Sequence, residues 1–219
     1  MKMKQEITAK RVMMCVAGVL ICGISVGFFK AAALGVDPFQ SLMSGLDAVI
    51  PISFGTLYVL ANLALLTFSL VADRHFIGLA TFINLFLLGY VAEYSQAFLE
   101  SLFPDMGMAL RVVMLVIGVV VMCMSSALYF TADLGVSPYD SVALIISKTW
   151  KKMEFGKCRI LCDLTCVVLG SVLCFLSAGG ISVLTAAVGV GTIITAFFMG
   201  PLISFFNVHL AEPILYGKK

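Results

Sequence analysis

The chain has 219 residues, of which 61% are hydrophobic and 12% are charged, and its formal net charge is +2. The hydrophobic share exceeds the roughly half that soluble domains contain, and the mean hydropathy is +1.10. This composition excludes an ordinary soluble domain and predicts an integral membrane protein whose first partner is the lipid bilayer. The basic residues stand at the ends of apolar segments rather than in a stripe, which argues against a nucleic-acid partner.

Apolar runs follow one another along the chain, and each is close to the ~20 residues that a helix needs to cross the hydrocarbon core. The first run is longer than the apolar part of a signal peptide and lacks a clear cleavage site, so we expect it to be retained. The sequence therefore predicts a single all-α, polytopic membrane domain over residues 1–219 with about six transmembrane helices. The runs cover residues 12–34, 55–72, 77–99, 112–132, 160–178 and 181–206.

The chain also contains an internal repeat. Residues 11–46 align with residues 111–146 without a gap, and the identical pairs include arginine, glycine, proline and serine as well as apolar residues. Later segments of the two halves also match, after shifts in register that fall where loops are expected. The sequence thus consists of two repeats, at about 11–102 and about 111–206, joined by a linker at about 103–110.

One polar phrase occurs in both repeats, as LGVDPFQS in the first and LGVSPYDS in the second. Its glycine is typical of the residue that follows the end of a helix. Asp37 and Ser137 are typical N-cap residues, and each is followed by a proline at the first helical position. Each phrase therefore predicts that one helix stops and that another starts at once.

The helix that each phrase starts is short and amphipathic. In the first repeat it can run only from Pro38 to about Ile50, because Pro51 follows. At 1.5 Å per residue this length is roughly 20 Å, which is too little to cross the bilayer core. The polar faces of the two short helices include Gln40, Ser41, Asp140 and Ser141.

The length of the short helices decides the symmetry of the repeat. If they re-enter the membrane or lie on its surface, each half has three crossings and the halves are inverted; if they span it, the halves are parallel. Basic residues do not separate the two models, so helix length is the discriminator, and it favours inverted topology. Both models place both termini in the cytoplasm, where the basic residues Lys2, Lys4, Lys10, Arg11, Lys218 and Lys219 cluster.

Inverted halves with interrupted helices are typical of secondary transporters, which bind their solute near the midplane at the interface of the repeats. The helix starts at Asp37 and Ser137 would present unpaired N–H groups and a positive dipole end to a solute. The sequence therefore predicts a permease for a small polar or anionic solute. The alternative is an accessory or scaffold protein that assists other membrane components and transports nothing.

Asp163 lies about seven residues into its apolar segment. A carboxylate there has a high free-energy cost of burial in the membrane, so such residues are usually functional. The alternative is an i, i+4 ion pair with Arg159 near the cytoplasmic end. Asn62 occupies the matching position of the first repeat, which favours a paired site.

Hydroxyl and amide side chains recur three residues apart in the last apolar run of each repeat. They would either line the route or join helices by hydrogen bonds. These pairs are Thr81 with Asn84 and Thr192 with Thr195. The candidate substrate-binding residues are therefore Asp37, Gln40, Ser41, Asn62, Thr81, Asn84, Ser137, Asp140, Ser141, Asp163, Thr192 and Thr195.

The sequence gives no indication of catalysis. Neither histidine belongs to a metalloprotease motif, and nucleophile-elbow and Walker motifs do not occur. Cys158, Cys162 and Cys166 recur at four-residue spacing, but such a series drifts around a helix and is more typical of a packing stripe than of a soft-metal site. We expect no enzyme activity, no cofactor and no metal, and leave a homo-oligomer open.

Three segments together resemble the YczE/YyaS/YitT-type integral membrane proteins of bacteria, and the likeness covers nearly the whole chain. These segments are LGVSPYDS, the FGK of KKMEFGKCRI, and GTIITAFFMGPLISFF. The resemblance implies a bacterial inner-membrane protein. The first repeat departs from the pattern, since Asp37 replaces the serine before proline and ATFINLFLLGYV lacks the leading glycine and the proline of its counterpart. This departure argues against a strictly symmetric binding site.

Overall fold

The computed structural model describes residues 8–150, 153, 155–177 and 180–217, and these residues form helices and no β-strand. The predicted cytoplasmic residues Lys2, Lys4, Lys218 and Lys219 lie outside the described residues. The helices of the first half are α1 (Ala9–Ala32), α2 (Pro38–Val49), α3 (Phe54–Asp73) and α4 (Leu79–Leu102). A short turn of 3-10 helix, Arg74–Phe76, precedes α4, and a π-helical turn, Asn84–Leu88, lies within it.

The second half follows the same order. It contains α5 (Met108–Ala132), α6 (Pro138–Leu144, continued by a π-helical turn at Ile145–Thr149), α7 (Phe155–Leu176), α8 (Gly180–Ala187) and α9 (Val190–Phe206, continued by a π-helical turn at Asn207–Ala211 and by Glu212–Tyr216).

The length and composition of the helices agree with a membrane protein. Among the described residues, α1, α3, α4 and α5 are long and apolar enough to cross a bilayer, and shorter apolar stretches occupy Ile160–Leu176 and Ile181–Thr195. Large apolar side chains such as Val71 and Ile160 are exposed on the outer surface, as lipid contact requires. The all-α polytopic membrane fold is confirmed, and α7 and α9 remain predicted crossings.

The short helices begin as predicted. Asp37 caps α2, because its carboxylate accepts a hydrogen bond from the backbone N–H of Gln40 at 3.2 Å. Ser137 caps α6 in the same way, with its Oγ 3.0 Å from the backbone nitrogen of Asp140. Each cap satisfies one of the donors that the first turn of a helix leaves without an internal partner.

The helices α1 and α5 form the central pair and run antiparallel. Gly18, in the first half of α1, packs on Tyr129 near the end of α5, with only 3.0 Å between the position of a Cβ at Gly18 and the Tyr129 Cβ. Its repeat equivalent Gly118, in the first half of α5, packs in turn on Phe29 near the end of α1. Equivalent glycines therefore allow close approach at both ends of one helix crossing.

The chain turns back towards the middle of the molecule after α1 and again after α5. Both returns use a positive φ at the helix end, 52° at Ala33 and at Asp133, followed by glycine with φ of 101° at Gly35 and 109° at Gly135. Residues other than glycine do not readily adopt a φ near 100°, as found at Gly35 and Gly135. The two loops therefore share one backbone path, although α1 and α5 end on opposite sides.

Each returning loop is held by the other half of the chain. The loop of the first half docks where α8 ends and α9 begins, and the loop of the second half docks on the segment that leads into α4. Each loop makes two backbone hydrogen bonds of the same kind. In the first loop, the Leu34 carbonyl accepts from the Gly191 nitrogen at 2.8 Å and the Val36 nitrogen donates to the Ala187 carbonyl at 3.1 Å. In the second loop, the Leu134 carbonyl accepts from the Ala80 nitrogen at 3.0 Å and the Val136 nitrogen donates to the Phe76 carbonyl at 3.2 Å.

Arg11 and Arg111 also act across the repeat. The Arg11 guanidinium donates to the carbonyl of Ala132 at 2.9 Å, and the Arg111 guanidinium donates to the carbonyl of Ala32 at 3.3 Å. Each arginine at the start of one central helix thus satisfies a carbonyl at the end of the other. The position of both arginines at helix starts is also typical of side chains that extend to lipid head groups. Arg11 is only 9% exposed, so its main contact is the Ala132 carbonyl.

The two ends of the molecule can be told apart by the first and last helices. The guanidinium of Arg11 lies 5.8 Å from the ring centre of Tyr216, so α1 begins and α9 ends at the same end, which we call the terminal end. At the opposite end, the Lys30 ammonium lies 3.4 Å from the ring centre of Phe54. The helix α2 therefore runs from the middle of the molecule to the opposite end.

Candidate functional site

A cavity of about 440 Å³ lies between the two halves of the chain, at the point where α2 and α6 begin. Small-molecule sites in proteins have volumes of roughly 300 to 1,000 Å³. The wall is built by α1, α3, α4, α5, α7 and α9 together with the first turns of the two short helices. The cavity therefore belongs to both halves and is large enough for a small solute.

Two equivalent aromatic residues form the centre of the site. The rings of Phe39 and Tyr139, which follow the prolines of the two phrases, stack with centroids 4.7 Å apart and planes at 22°. Tyr58 of α3 packs edge-on against Phe39 at 5.8 Å. The two helix starts thus meet ring against ring at the middle of the molecule, where α1 and α5 also cross with Cys22 and Met122 in contact.

Polar groups are arranged around these rings. The Tyr139 hydroxyl donates a hydrogen bond to the Asp163 carboxylate at 2.5 Å, and the Tyr58 hydroxyl donates to the Asn84 side-chain carbonyl at 3.2 Å. Asp140 accepts a hydrogen bond from the Ser137 hydroxyl at 2.8 Å. Carboxylates, phenols and an amide therefore share one largely apolar wall.

Seven of the residues predicted from the sequence line the cavity. They come from both phrases and from α4, α7 and α9, which are distant in the chain. They are Asp37, Gln40, Asn84, Ser137, Asp140, Asp163 and Thr195. The Arg159 side chain, the alternative partner of Asp163, lies outside the described part of the structure.

Five predicted residues lie behind the wall of the cavity. Ser41 donates to the Ala187 carbonyl at 2.9 Å, and its equivalent Ser141 lies 2.5 Å from the hydroxyl of Ser69. These buried hydroxyls join the short helices to the other half of the chain. Neither serine is among the residues that line the cavity.

The threonines join the loops to the helices. Thr81 donates to the Val136 carbonyl at 2.6 Å and accepts from the backbone of Gly78 at 3.1 Å. Thr192 makes the equivalent contact with the backbone of Gly189 at 3.3 Å. Thr81 thereby holds the docked loop of the second half, and Thr192 caps the start of α9.

Asn62 does not lie in the same site as Asp163. It is fully buried in α3, and its amide nitrogen donates to the Tyr58 carbonyl one turn earlier at 2.9 Å. It is not among the residues that line the cavity. The match between Asn62 and Asp163 in the repeat alignment therefore does not place both in one site.

Two buried polar atoms of the wall have no hydrogen-bond partner. They are the side-chain oxygen of Gln40, a residue 4% exposed, and the hydroxyl of Tyr129, a residue 6% exposed. Buried polar atoms without a partner are rare and costly, at about 1 to 3 kcal/mol each. Both residues line the cavity, although the two atoms themselves are buried in its wall.

Sequence reasoning missed the aromatic part of the site. The spacing of Phe39 and Tyr139 is that of the apolar faces of the short helices, and their matching positions in the doubled phrase are the only signal that they meet. Tyr58 and Tyr129 carry no such signal, because an aromatic residue within an apolar run is indistinguishable from a lipid-facing one before the helices are packed.

The cavity is asymmetric along the helices. From the crossing of Cys22 and Met122, its wall follows α5 to Phe130 at the terminal end but follows α1 only to Val26 at the opposite end. At 1.5 Å per residue, these distances are roughly 12 Å and 6 Å. In the loops, Val136 is half-buried whereas its equivalent Val36 is 1% exposed. The cavity therefore extends towards the terminal end.

The small-residue stripe of α7 packs against α2. A Cβ at Gly170 would lie 2.6 Å from the carbonyl oxygen of Ser41, and one at Gly45 would lie 2.7 Å from the carbonyl oxygen of Gly170. In the described residues the cysteines are free, and Cys158 and Cys166 are buried. The stripe thus brings two helix backbones into direct contact at the opposite end.

Comparison with known proteins agrees with the resemblance drawn from the motifs. A family model described as a family of unknown function, DUF6198, matches residues 9–208. A protein of Bacillus subtilis named "Uncharacterized protein YyaS" is 25% identical over 190 residues, which cover 86% of this chain and 88% of that protein. An uncharacterized protein of Haemophilus influenzae is 24% identical over 187 residues, covering 85% and 78%. No solved structure matches. The chain therefore belongs to the DUF6198 family, and its resemblance to the YyaS type is confirmed.

Proposed function

We propose that the protein is a permease of the bacterial inner membrane that carries a small polar solute through the cavity between its two halves, without chemical change to the solute. The observation that carries this proposal is the meeting of two interrupted helices at a cavity of about 440 Å³ in the middle of the molecule. Secondary transporters bind their solutes in such a position. Both termini are cytoplasmic in this proposal, so the cavity extends towards the cytoplasm.

The contacts between the halves support an inverted repeat. The central helices α1 and α5 are antiparallel, and equivalent residues make equivalent contacts in the loops and at the arginines. Two parallel repeats would place the starts of α1 and α5 at the same end. An inverted pair can expose its site to one side and then to the other by exchanging the conformations of its halves.

The difference between the halves supports alternating access. At the opposite end, the backbones of α2 and α7 touch at Gly45 and Gly170. The position equivalent to Gly45 in the second half is Ile145, a fully buried side chain, so the second half lacks the glycine that allows this backbone contact in the first half. The route is therefore closed at the opposite end and wider at the terminal end.

The proposal is tested by labelling Val36→Cys and Val136→Cys in a cysteine-free background with a reagent that cannot cross the membrane. Val136→Cys should be labelled from the cytoplasmic side, because the residue is half-buried and lines the cavity. Val36→Cys, now 1% exposed, should be labelled slowly from the periplasmic side, in the fraction of molecules that open to that side. A Val36→Cys variant that stays unlabelled would favour an accessory or scaffold protein.

A matched pair of exposed residues tests the topology independently. Ile52 and Met153 follow the two short helices at equivalent positions, and each is 38% exposed. We expect Ile52→Cys to be labelled only from the periplasmic side and Met153→Cys only from the cytoplasmic side, both rapidly. Labelling of both from one side would contradict the inverted repeat and, with it, the transport proposal.

A further inference from the structure

We infer that the cavity binds an uncharged ring compound that carries an amide or lactam group. This inference rests on the proposed function, because it takes the cavity to be the place of the solute, and it names the class of that solute. It is carried by three features of the described wall: carboxylates that the protein itself uses, two accessible polar atoms that the protein leaves without a partner, and a surface of aromatic rings.

The carboxylates of the wall are already engaged by the protein. Asp37 and Asp140 accept hydrogen bonds at the starts of α2 and α6, and Asp163 accepts one from the Tyr139 hydroxyl. Each of the three has a further interaction within the protein. The described lining residues include no lysine, arginine or histidine. A charged solute would therefore leave water without gaining a free counter-charge, which is costly.

A side-chain amide of the first half is free to donate to a solute. Asn84 begins the π-helical turn of α4, and such turns recur at functional sites. Its side-chain carbonyl accepts from the Tyr58 hydroxyl at 3.2 Å, whereas its side-chain nitrogen has no acceptor among the described residues. This nitrogen is not one of the unpartnered atoms that are buried in the wall. Because Asn84 lines the cavity and is only 5% exposed, its N–H groups are left for an acceptor inside the cavity.

A hydroxyl group of the second half has the same property. Ser126 of α5 lines the cavity and is 8% exposed. Its oxygen has no hydrogen-bond partner among the described residues, and it is not one of the buried unpartnered atoms. A hydroxyl group both donates and accepts. An amide or lactam, which presents a carbonyl beside an N–H, can therefore accept from Asn84 and donate to Ser126.

The rest of the wall favours a ring over a sugar or another polyol. Five aromatic residues line the cavity, and most of the other lining side chains are apolar. Aromatic side chains pack favourably on a planar ring by stacking or edge-to-face contact. A polyol presents hydroxyl groups in every direction, and this wall would leave most of them without a partner. The aromatic lining residues are Phe39, Tyr58, Tyr129, Phe130 and Tyr139.

Three probes of one shape test the inference on the purified full-length protein in detergent at neutral pH. Benzamide, the anion benzoate and the cation benzylammonium share one ring and differ in the charge of the substituent. We expect equilibrium dialysis, corrected with empty micelles, to give benzamide a Kd at least about fivefold lower than that of either ion. Any smaller preference, a preference for one of the ions, or no binding of benzamide beyond empty micelles would overturn the inference.

Matched variants locate the binding. Asn84→Leu removes the amide at nearly constant shape and should raise the Kd of benzamide about tenfold. Ser126→Ala should raise it about fivefold, because it removes the second polar partner. Ser125→Ala makes the same change one residue earlier, at a buried hydroxyl that donates to the Met122 carbonyl at 2.8 Å and does not line the cavity, and should change the Kd by less than about twofold. Equal losses in Ser125→Ala and Ser126→Ala, or no loss in either Asn84→Leu or Ser126→Ala, would contradict this site.

The outcomes separate the inference from the proposed function. Benzamide binding that depends on Asn84 and Ser126, in a protein whose Val36→Cys variant is never labelled, would support the amide site and contradict transport. Labelling of Val36→Cys together with preferred binding of benzoate or benzylammonium would support transport and overturn the amide site. Unchanged thermal unfolding of the variants without probe shows that each weakened binding arises in a folded protein, and Ser126→Ala keeps the site testable if Asn84→Leu does not fold.

Discussion

The substitution Gly135→Ala is expected to destabilise the protein strongly, because it combines backbone strain with a close backbone contact. Gly135 has a φ of 109°, and a Cβ there would lie 2.6 Å from the backbone nitrogen of Gly78. The backbone angle contributes roughly 1 to 2 kcal/mol of strain and the overlap roughly another 1 to 3 kcal/mol. We expect the free energy of unfolding, measured by SDS titration in mixed micelles, to fall by about 3 kcal/mol or more.

Three other glycines separate the two causes. Gly217 has a φ of 80° and nothing within 4 Å of an added Cβ, so Gly217→Ala reports the backbone angle alone, at about 1 kcal/mol. Gly78 has a φ of −149° and meets the Leu134 carbonyl at close range, so Gly78→Ala reports the overlap alone. Gly107→Ala has neither effect and should stay within about 0.5 kcal/mol.

The outcome bears on the docking of the loop as well as on stability. If Gly135→Ala costs no more than Gly217→Ala, the close contact between the loop and the start of α4 does not form in the membrane. The interlocking of the two halves would then lose its main support. A cost near that of Gly78→Ala and Gly217→Ala together would support the docked loop.

The sequence predicted the local events of the fold correctly. The N-caps at Asp37 and Ser137, the prolines that follow them and the end of the first short helix at Pro51 are decided by residues next to one another in the chain. Such signals depend on backbone hydrogen bonds that form within one turn. The bounds of α2 could therefore be read to within a residue.

The contacts between the halves could not be predicted, because they join segments far apart in the chain. Nothing near Arg11 indicates that its partner is the carbonyl of Ala132, and a snorkelling arginine has the same sequence context. Thr81 likewise resembles a site residue until the Val136 carbonyl is placed beside it. A polar residue in an apolar run is a sign of a constraint, and only packing tells which constraint it is.

The sequence indicated which residues of the doubled phrase would lie close together, and it contained little information on what they bind. Four residues of the doubled phrase, Asp37, Gln40, Ser137 and Asp140, lie at the cavity wall. The aromatic residues and the acidic side chain of Asp163 enter the same space only in three dimensions, so the argument from helix dipoles, which predicted a polar or anionic solute, did not include them. The sum of charges in a cavity is a property of the packed structure.

The second large effect is expected for Arg11→Met, which should lower the free energy of unfolding by about 2 kcal/mol. The guanidinium of Arg11 is buried and donates to the Ala132 carbonyl at 2.9 Å. Methionine fills much of the same space but leaves that carbonyl without its donor, and a lost hydrogen bond to a charged group is worth about 1.5 to 3 kcal/mol. SDS titration in mixed micelles measures the loss.

The neighbouring residue provides the control for charge. Lys10→Met removes one positive charge from the same turn of α1, but Lys10 is exposed, so its loss should stay within about 0.5 kcal/mol. Arg111→Met should lie between the two, because its hydrogen bond to the Ala32 carbonyl is longer, at 3.3 Å, and the side chain is less buried. Since each arginine satisfies the end of the other half's central helix, combining Arg11→Met with Arg111→Met removes both reciprocal caps. Equal losses in Arg11→Met and Lys10→Met would mean that charge at the membrane surface, and not the cap across the repeat, accounts for the effect.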